Sequence, residues 1–298
     1  MKTLVLGSLN IDCTYRVNRF VQAKETISAV SFNKYCGGKG FNQAVALARS
    51  GADVCFAGVI GTDGDMLRQA LLKERICVDY LKISDQPTGH AIIQVNEEGE
   101  NCIIVVAGAN DEVSPEYIDH VLDGFYTGDL LVMQNEVPNV DYAVMRACQK
   151  GMIIALNPSP FNERMRSGSL NEVDYLLINE VEGKGLTGET DPIDILRNLK
   201  NSYPETAVVL TLGEQGSYFM AKDGTVTTCN AVHCEAIDTT AAGDTFTGYF
   251  LTEYLRTQNA SAALHRASTA SAIAVSRMGA AASIPLCAEV EEMLVITG

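Results

Sequence analysis

Near the C-terminus, VHCEAIDTTAAGDTFTGYFLTEYLR sets Asp244 directly after three small residues, Ala241, Ala242 and Gly243. The pattern predicts a strand ending at about Ile237, a turn, and an amphipathic helix from about Ala242. N–H groups in the first turn of a helix lack intrahelical acceptors, and the helix dipole favours negative charge there. Small side chains let an anion reach those donors. A carboxylate in the same turn can take a proton from an attacking hydroxyl while the amides offset charge on a transferring phosphoryl group. An acidic residue that only complements the helix dipole would have the same spacing, so spacing alone leaves both readings open.

A second constellation is GGKGFNQA at 37–44. Its glycines allow backbone to approach a ligand, and Lys39 and Asn42, three apart at a helix start, share a face from which both could grip hydroxyls. The string is not a Walker A loop, because it lacks the four-residue spacer and the Ser or Thr after the lysine. A solvated surface lysine is the plainer alternative for Lys39. Asn10 and Asp12, after the first apolar run, fit either polar recognition or an Asx turn. Asn179 and Glu182 lie one helical turn apart at the end of YLLIN and would face the same way, although bare surface placement also fits Glu182.

These residues sit on an alternation of short β-type runs and amphipathic helical patterns: TLVLGS, FNQAVALARSG, VCFAGVIG, MLRQALLKE. Such alternation implies parallel βαβ units. Later runs at 130–133, 152–157, 175–179 and 207–213 are almost continuously apolar, as strands covered on both faces are. The expected fold is therefore α/β, a mostly parallel central sheet with helices on both faces. Stretches at about 12–35 and 88–106 have strand alternation and turn chemistry without helices, and read as a small β-sheet lid. No repeat or linker divides the chain, so residues 1–298 read as a single domain.

With 298 residues, 47% of them hydrophobic, the chain can bury a substantial core. A net charge of -15 repels nucleic acid and anionic membrane surfaces, so a bound phosphate must rely on local donors. No secretion signal or membrane-spanning run is evident, and a cytoplasmic location is expected. The nine cysteines are scattered without a CxxC or zinc spacing, and are expected to be buried, reduced hydrophobes. Cys36 borders the glycine-rich string, so its alkylation is expected to obstruct whatever binds there.

DTTAAGDTFTG at 238–248 resembles the C-terminal signature of the ribokinase-like carbohydrate kinases, and GGKGFNQAVALARSGADVCFAGVIG at 37–61 resembles that family's N-terminal one. GSLNID, TGHAIIQVNEEGEN, NPSP, NEVEG and TLGEQG match shorter motifs in the family's order, so the resemblance spans essentially the whole chain. It implies an ATP-dependent sugar kinase acting on a primary hydroxyl, with Asp244 as base and Ala241, Ala242 and Gly243 as anion hole. Asn10, Asp12, Gly38, Lys39, Asn42 and Glu136 would bind the sugar with Asp244. The set is closest to that of the ribose-phosphorylating branch, with deoxyribose, fructose and nucleosides as alternatives. ATP would lie against Asn179, Thr211, Leu212, Gly213, Glu214, Gln215, Gly216, Gly243 and Ser268. Glu182 would organise magnesium through water, and Asp238, Thr240, Ala274, Arg277, Gly279 and Ser283 would hold potassium, several through carbonyls. A homodimer formed through the lids is expected. A nicotinamide-dependent oxidoreductase fits poorly, since no GxGxxG follows the first strand. A non-catalytic sugar sensor would need neither a base nor an anion hole.

Overall fold

The computed structural model describes residues 1–166 and 170–297. The strands are β1 (Thr3–Leu6), β2 (Asn10–Arg16), β3 (Ser31–Gly37), β4 (Val54–Gly61), β5 (Cys77–Ser84), β6 (Gly89–Val95), β7 (Asn101–Val106), β8 (Leu130–Gln134), β9 (Ile153–Asn157), β10 (Tyr175–Asn179), β11 (Ala207–Thr211), β12 (Ser217–Met220) and β13 (Val226–Cys229). The helices are α1 (Lys39–Arg49), α2 (Asp65–Lys73), α3 (Pro115–Leu122), α4 (Val140–Gln149), α5 (Glu180–Thr187), α6 (Pro192–Ser202), α7 (Ala242–Thr257), α8 (Ala260–Val275) and α9 (Cys287–Thr297).

The larger sheet runs β13-β12-β11-β10-β9-β8-β1-β4-β5, parallel from β11 to β5 and closed at one edge by the antiparallel β12 and β13. Alternate residues of its strands enter opposite cores. Leu4, Leu6, Leu131, Met133, Leu176 and Ile178 pack with α3, α4 and α6 on one face. Val5, Leu130, Val132 and Leu177 pack with α1, α2, α7 and α8 on the other. Burial of each such side chain is worth about 1.5–3 kcal/mol, which is why these strands read as unbroken apolar runs. β1 lies between β4 and β8, so the chain winds both ways from it. A crevice opens beyond the carboxyl ends of the strands at such a reversal.

A separate sheet, β3-β2-β6-β7, stands over that edge. Its strands lie within the two stretches expected to form a lid, give or take two residues, although residues 17–30 form no strand. Alternation on β2 and β6 turns Asn10, Asp12, Thr14, Ala91 and Ile93 toward the crevice. Phe32, Ile92, Ile104 and Val106 remain solvent-exposed.

Two expectations are corrected. Residues 231–237 form no strand; the amides of Ile237 and Asp238 instead bond Val275 O, at the end of α8, at 2.8 and 3.1 Å. That run is mostly exposed, so no sheet neighbour stabilises it. The cysteines are not mostly core residues: Cys55 is buried, while Cys102, Cys148 and Cys234 are exposed and the other five are intermediate. Apolar neighbours in sequence did not report which face of an edge strand or loop each thiol occupies. Among the described residues no helix is long and apolar enough to cross a membrane.

Candidate active site

The crevice is a cavity of about 1150 Å³ lined by Asp12, Lys39, Asn42, Glu136, Asn179, Glu182 and Asp244, among others. Residues from β2, α1, α5, α7 and the segment after β8 thus converge, although up to 232 positions separate them.

The centre of the site is built where α1 crosses α7. A Cβ on Gly248 would stand 2.5 Å from Ala46 Cβ, so only glycine there allows the two helices to approach so closely. One turn before that crossing on each helix lie Asn42 and Asp244. Asn42 Nδ2 donates to Asp244 Oδ2 at 3.1 Å and Gln43 Nε2 donates to Oδ1 at 2.9 Å. Asp244 is only 7% exposed, and both of its carboxylate oxygens accept from side-chain amides. Asn42 Oδ1 is buried without a hydrogen-bond partner among the described residues, which leaves an acceptor for a hydroxyl donor.

Helix α7 begins at Ala242, as the sequence pattern requires, with Ala241 as its N-cap at φ 62°. A left-handed alanine stores strain of order 1 kcal/mol, and such strain clusters at functional sites. The Ala242 amide donates to Thr239 O at 3.2 Å and that of Thr245 to Ala241 O at 2.8 Å. The amides of Ala241, Gly243 and Asp244 find no acceptor among the described residues. One of the three expected anion-hole amides is therefore engaged, and the free donors continue into Asp244 itself.

At the lid end, Glu136 Oε2 accepts from the Ser8 hydroxyl and from Lys39 N at 2.8 Å. Gly38, at φ 94°, makes the turn from β3 into α1 that delivers Lys39. Burial pulls the Lys39 ammonium down, but Asp244, Glu136 and Glu182 outweigh it and raise its pKa. Burial, and then the charge of Glu136, push the Asp12 carboxyl up to about 6. Asn10 is aligned by a residue the sequence did not single out: Asn110 Nδ2 donates to Asn10 Oδ1 at 2.9 Å, while its Oδ1 accepts from Leu9 N at 3.0 Å. Asn110 sits in an unremarkable AGAND turn, and no local pattern marks it.

Asn179 and Glu182 line the same cavity and also form a capping box. Asn179 Oδ1 accepts from the amides of Val181 and Glu182, and Glu182 Oε2 accepts from Asn179 N at 2.8 Å. The box holds Glu182, 4% exposed, in one rotamer. Thr211 lines the cavity, whereas Leu212, Gly213, Glu214, Gln215 and Gly216 form the tight connection to β12 beyond its lining, and Ser268 on α8 lies outside that lining as well. Asp238 Oδ1 accepts from Thr240 N and Oδ2 from Gly279 N, both at 2.9 Å, which gathers the 238–240 and 279–283 segments around the end of α8. Ala274 O accepts from Arg277 N at 3.1 Å, the Arg277 side chain turns away to Glu289, and Ser283 Oγ donates to Ala280 O.

A buried carboxylate beside free helix-start amides, facing a polar pocket at the strand ends, is an arrangement suited to phosphoryl transfer. The model for the pfkB family carbohydrate kinases matches residues 2–287, and the chain belongs to that family. It is an ATP-dependent carbohydrate kinase. A ribokinase of Staphylococcus aureus is 37% identical over 98% of this chain and 99% of its own. The crystal structure of a Cryptococcus neoformans ribokinase in complex with ADP superposes with TM-score 0.87 at 31% identity, covering 98% of this chain and 99% of that one. An Arabidopsis thaliana ribokinase complexed with ribose and ATP gives TM-score 0.86 at 27% identity, covering 98% of each.

Proposed function

We propose that the enzyme phosphorylates D-ribose to ribose 5-phosphate, with Asp244 as the base. The observation that carries this reading is the Asp244 carboxylate, held by Asn42 and Gln43 beside the unpaired amides of Gly243 and Asp244. Ribose sits between the lid and α1. Asn10, Asp12 and Glu136 accept from its hydroxyls, Lys39 and the Gly38 backbone donate, and Asn42 Oδ1 takes a further hydroxyl proton. A sugar lacking one of these groups leaves a buried partner unpaired, which is how such a site discriminates. The primary hydroxyl points at Asp244, which accepts its proton as the oxygen attacks the γ-phosphate in line. The amides of residues 241–244, less that of Ala242 while it stays on Thr239, receive the charge that spreads over the phosphoryl oxygens.

ATP lies along the ends of β10 and β11, against Asn179 and Thr211, with Leu212–Gly216 and Ser268 at its outer end and Gly243 at its phosphates. Glu182 fits a magnesium role through water, because the capping box uses Oε2 and leaves Oε1 for a hydrated ion. Magnesium would neutralise part of the triphosphate charge in a cavity already rich in carboxylates. The gathered loops at Asp238, Thr240, Ala274, Arg277, Gly279 and Ser283 fit a monovalent cation through backbone oxygens. Potassium there would stiffen the anion-hole turn. The β3-β2-β6-β7 sheet acts as the lid, and Phe32, Ile92, Ile104 and Val106 on it support a homodimer. A cytoplasmic setting completes the reading.

The test is ADP release across ribose, deoxyribose, fructose and adenosine, with Asp244→Asn alongside. Ribose is expected to give the highest kcat/KM, and Asp244→Asn to lower kcat roughly 100-fold or more with KM little changed. Near-normal turnover of that variant refutes the base assignment.

A further inference from the structure

Two glutamines to which no sugar, nucleotide or metal contact is assigned are wholly buried beside the base. Gln43 and Gln134 are each 0% exposed. Gln134, the last residue of β8, donates from Nε2 to Gln43 Oε1 at 2.6 Å, and Gln43 donates from Nε2 to Asp244 Oδ1 at 2.9 Å. The direction of this relay is fixed at its carboxylate end, since Gln134 Oε1 is buried without a hydrogen-bond partner among the described residues. An ionised carboxylate only accepts, so Gln43 must present its NH₂ to Asp244 and its carbonyl to Gln134. Gln134 is seated by close packing: a Cβ on Gly7 would stand 2.3 Å from Gln134 Oε1 and 2.8 Å from Gly40 Cα. Glycine at position 7 therefore leaves the slot that the Gln134 amide fills, immediately beneath the start of α1.

We propose that Gln43 and Gln134 are positioning residues for phosphoryl transfer: Gln134 braces the Gln43 amide at its carbonyl, and Gln43, with Asn42, holds both oxygens of Asp244 in one orientation. A carboxylate gripped at both oxygens cannot rotate about its Cβ–Cγ bond, so the lone pair that receives the proton stays aimed at the hydroxyl. Fixed geometry of this kind acts on the transition state more than on ground-state binding. The inference rests on Asp244 being the base.

The experiment compares Gln43→Met, Gln134→Met and the double variant with the wild type, and runs Asp244→Asn in parallel. Methionine keeps the volume and removes the amide without burying a charge. In Gln43→Met, kcat is expected to fall roughly tenfold with the KM values for ribose and ATP changed less than about threefold. Gln134→Met alone lowers kcat several-fold. The double variant is no slower than Gln43→Met, since Gln134 then has nothing left to brace. Because it removes both partners, it also provides a folded protein if Gln43→Met is too unstable to assay. Losses that multiply in the double variant, or a folded Gln43→Met with unchanged kcat, overturn the relay. If Asp244→Asn retains turnover, the base assignment itself fails. If Asp244→Asn loses turnover while Gln43→Met does not, the relay alone fails.

Discussion

Replacing Asp12 with asparagine is expected to stabilise the ligand-free protein at neutral pH while impairing sugar binding. The Asp12 carboxyl is pushed from 3.8 to about 6 by burial and then by Glu136, so the folded state retains its proton to higher pH than the unfolded chain does. Between those values the native state binds more protons, and stability declines as pH rises. The penalty is absent below about 3.8 and complete above about 6. At about 1.4 kcal/mol per pH unit the full gap corresponds to roughly 3 kcal/mol, and screening of the partly exposed side chain reduces it to about 1–3 kcal/mol. Asp12→Asn removes that penalty. Urea denaturation without ligand at pH 5, 6 and 8 should show the variant gaining about 1–3 kcal/mol at pH 8 and progressively less toward pH 5. Its KM for ribose should rise at least tenfold at pH 8, because an amide offers fewer acceptor sites than a carboxylate. Parallel pH dependences for the variant and the wild type would refute the account of Asp12.

Gly248→Val should separate α1 from α7, lowering stability by about 1–3 kcal/mol in thermal melts and kcat by an order of magnitude, with Ala46→Gly restoring part of both. Asn110→Ala leaves Leu9 N and Asn10 Oδ1 without their partner, so stability should fall by about 1–3 kcal/mol. Its sugar KM should rise more than its kcat falls in initial-rate assays. Replacing sodium-only buffer with potassium at equal ionic strength should raise the rate; equal rates in the two salts would remove the cation proposal.

Local features carried much of the site. Asp244 and the α7 start were legible because helix N-termini have local chemistry, and the parallel strands were legible because burial on both faces leaves unbroken apolar runs. Gln43, Gln134 and Asn110 were not, since their partners lie 201, 91 and 100 positions away. An amide becomes a positioning group only once two distant elements have packed. Asn179 and Glu182 carried a double signal: the N-x-x-E spacing that faces the cavity is also a capping box, and the structure uses both. The supposed strand before Ile237 misled because VHCEAI has β-type residues, yet the end of that segment bonds the last residue of α8 and not a strand.

The joint between the lid and the body is very short. β1 passes into β2 through Gly7, Ser8 and Leu9, and β3 passes into α1 through Gly38 alone. Residues on the two sides of that joint, Asp12 above it and Asn42 below it, face one cavity. On the proposed reading, a sugar held by both would tie the lid to the helix that carries Asn42 and Gln43, the two residues that hold Asp244.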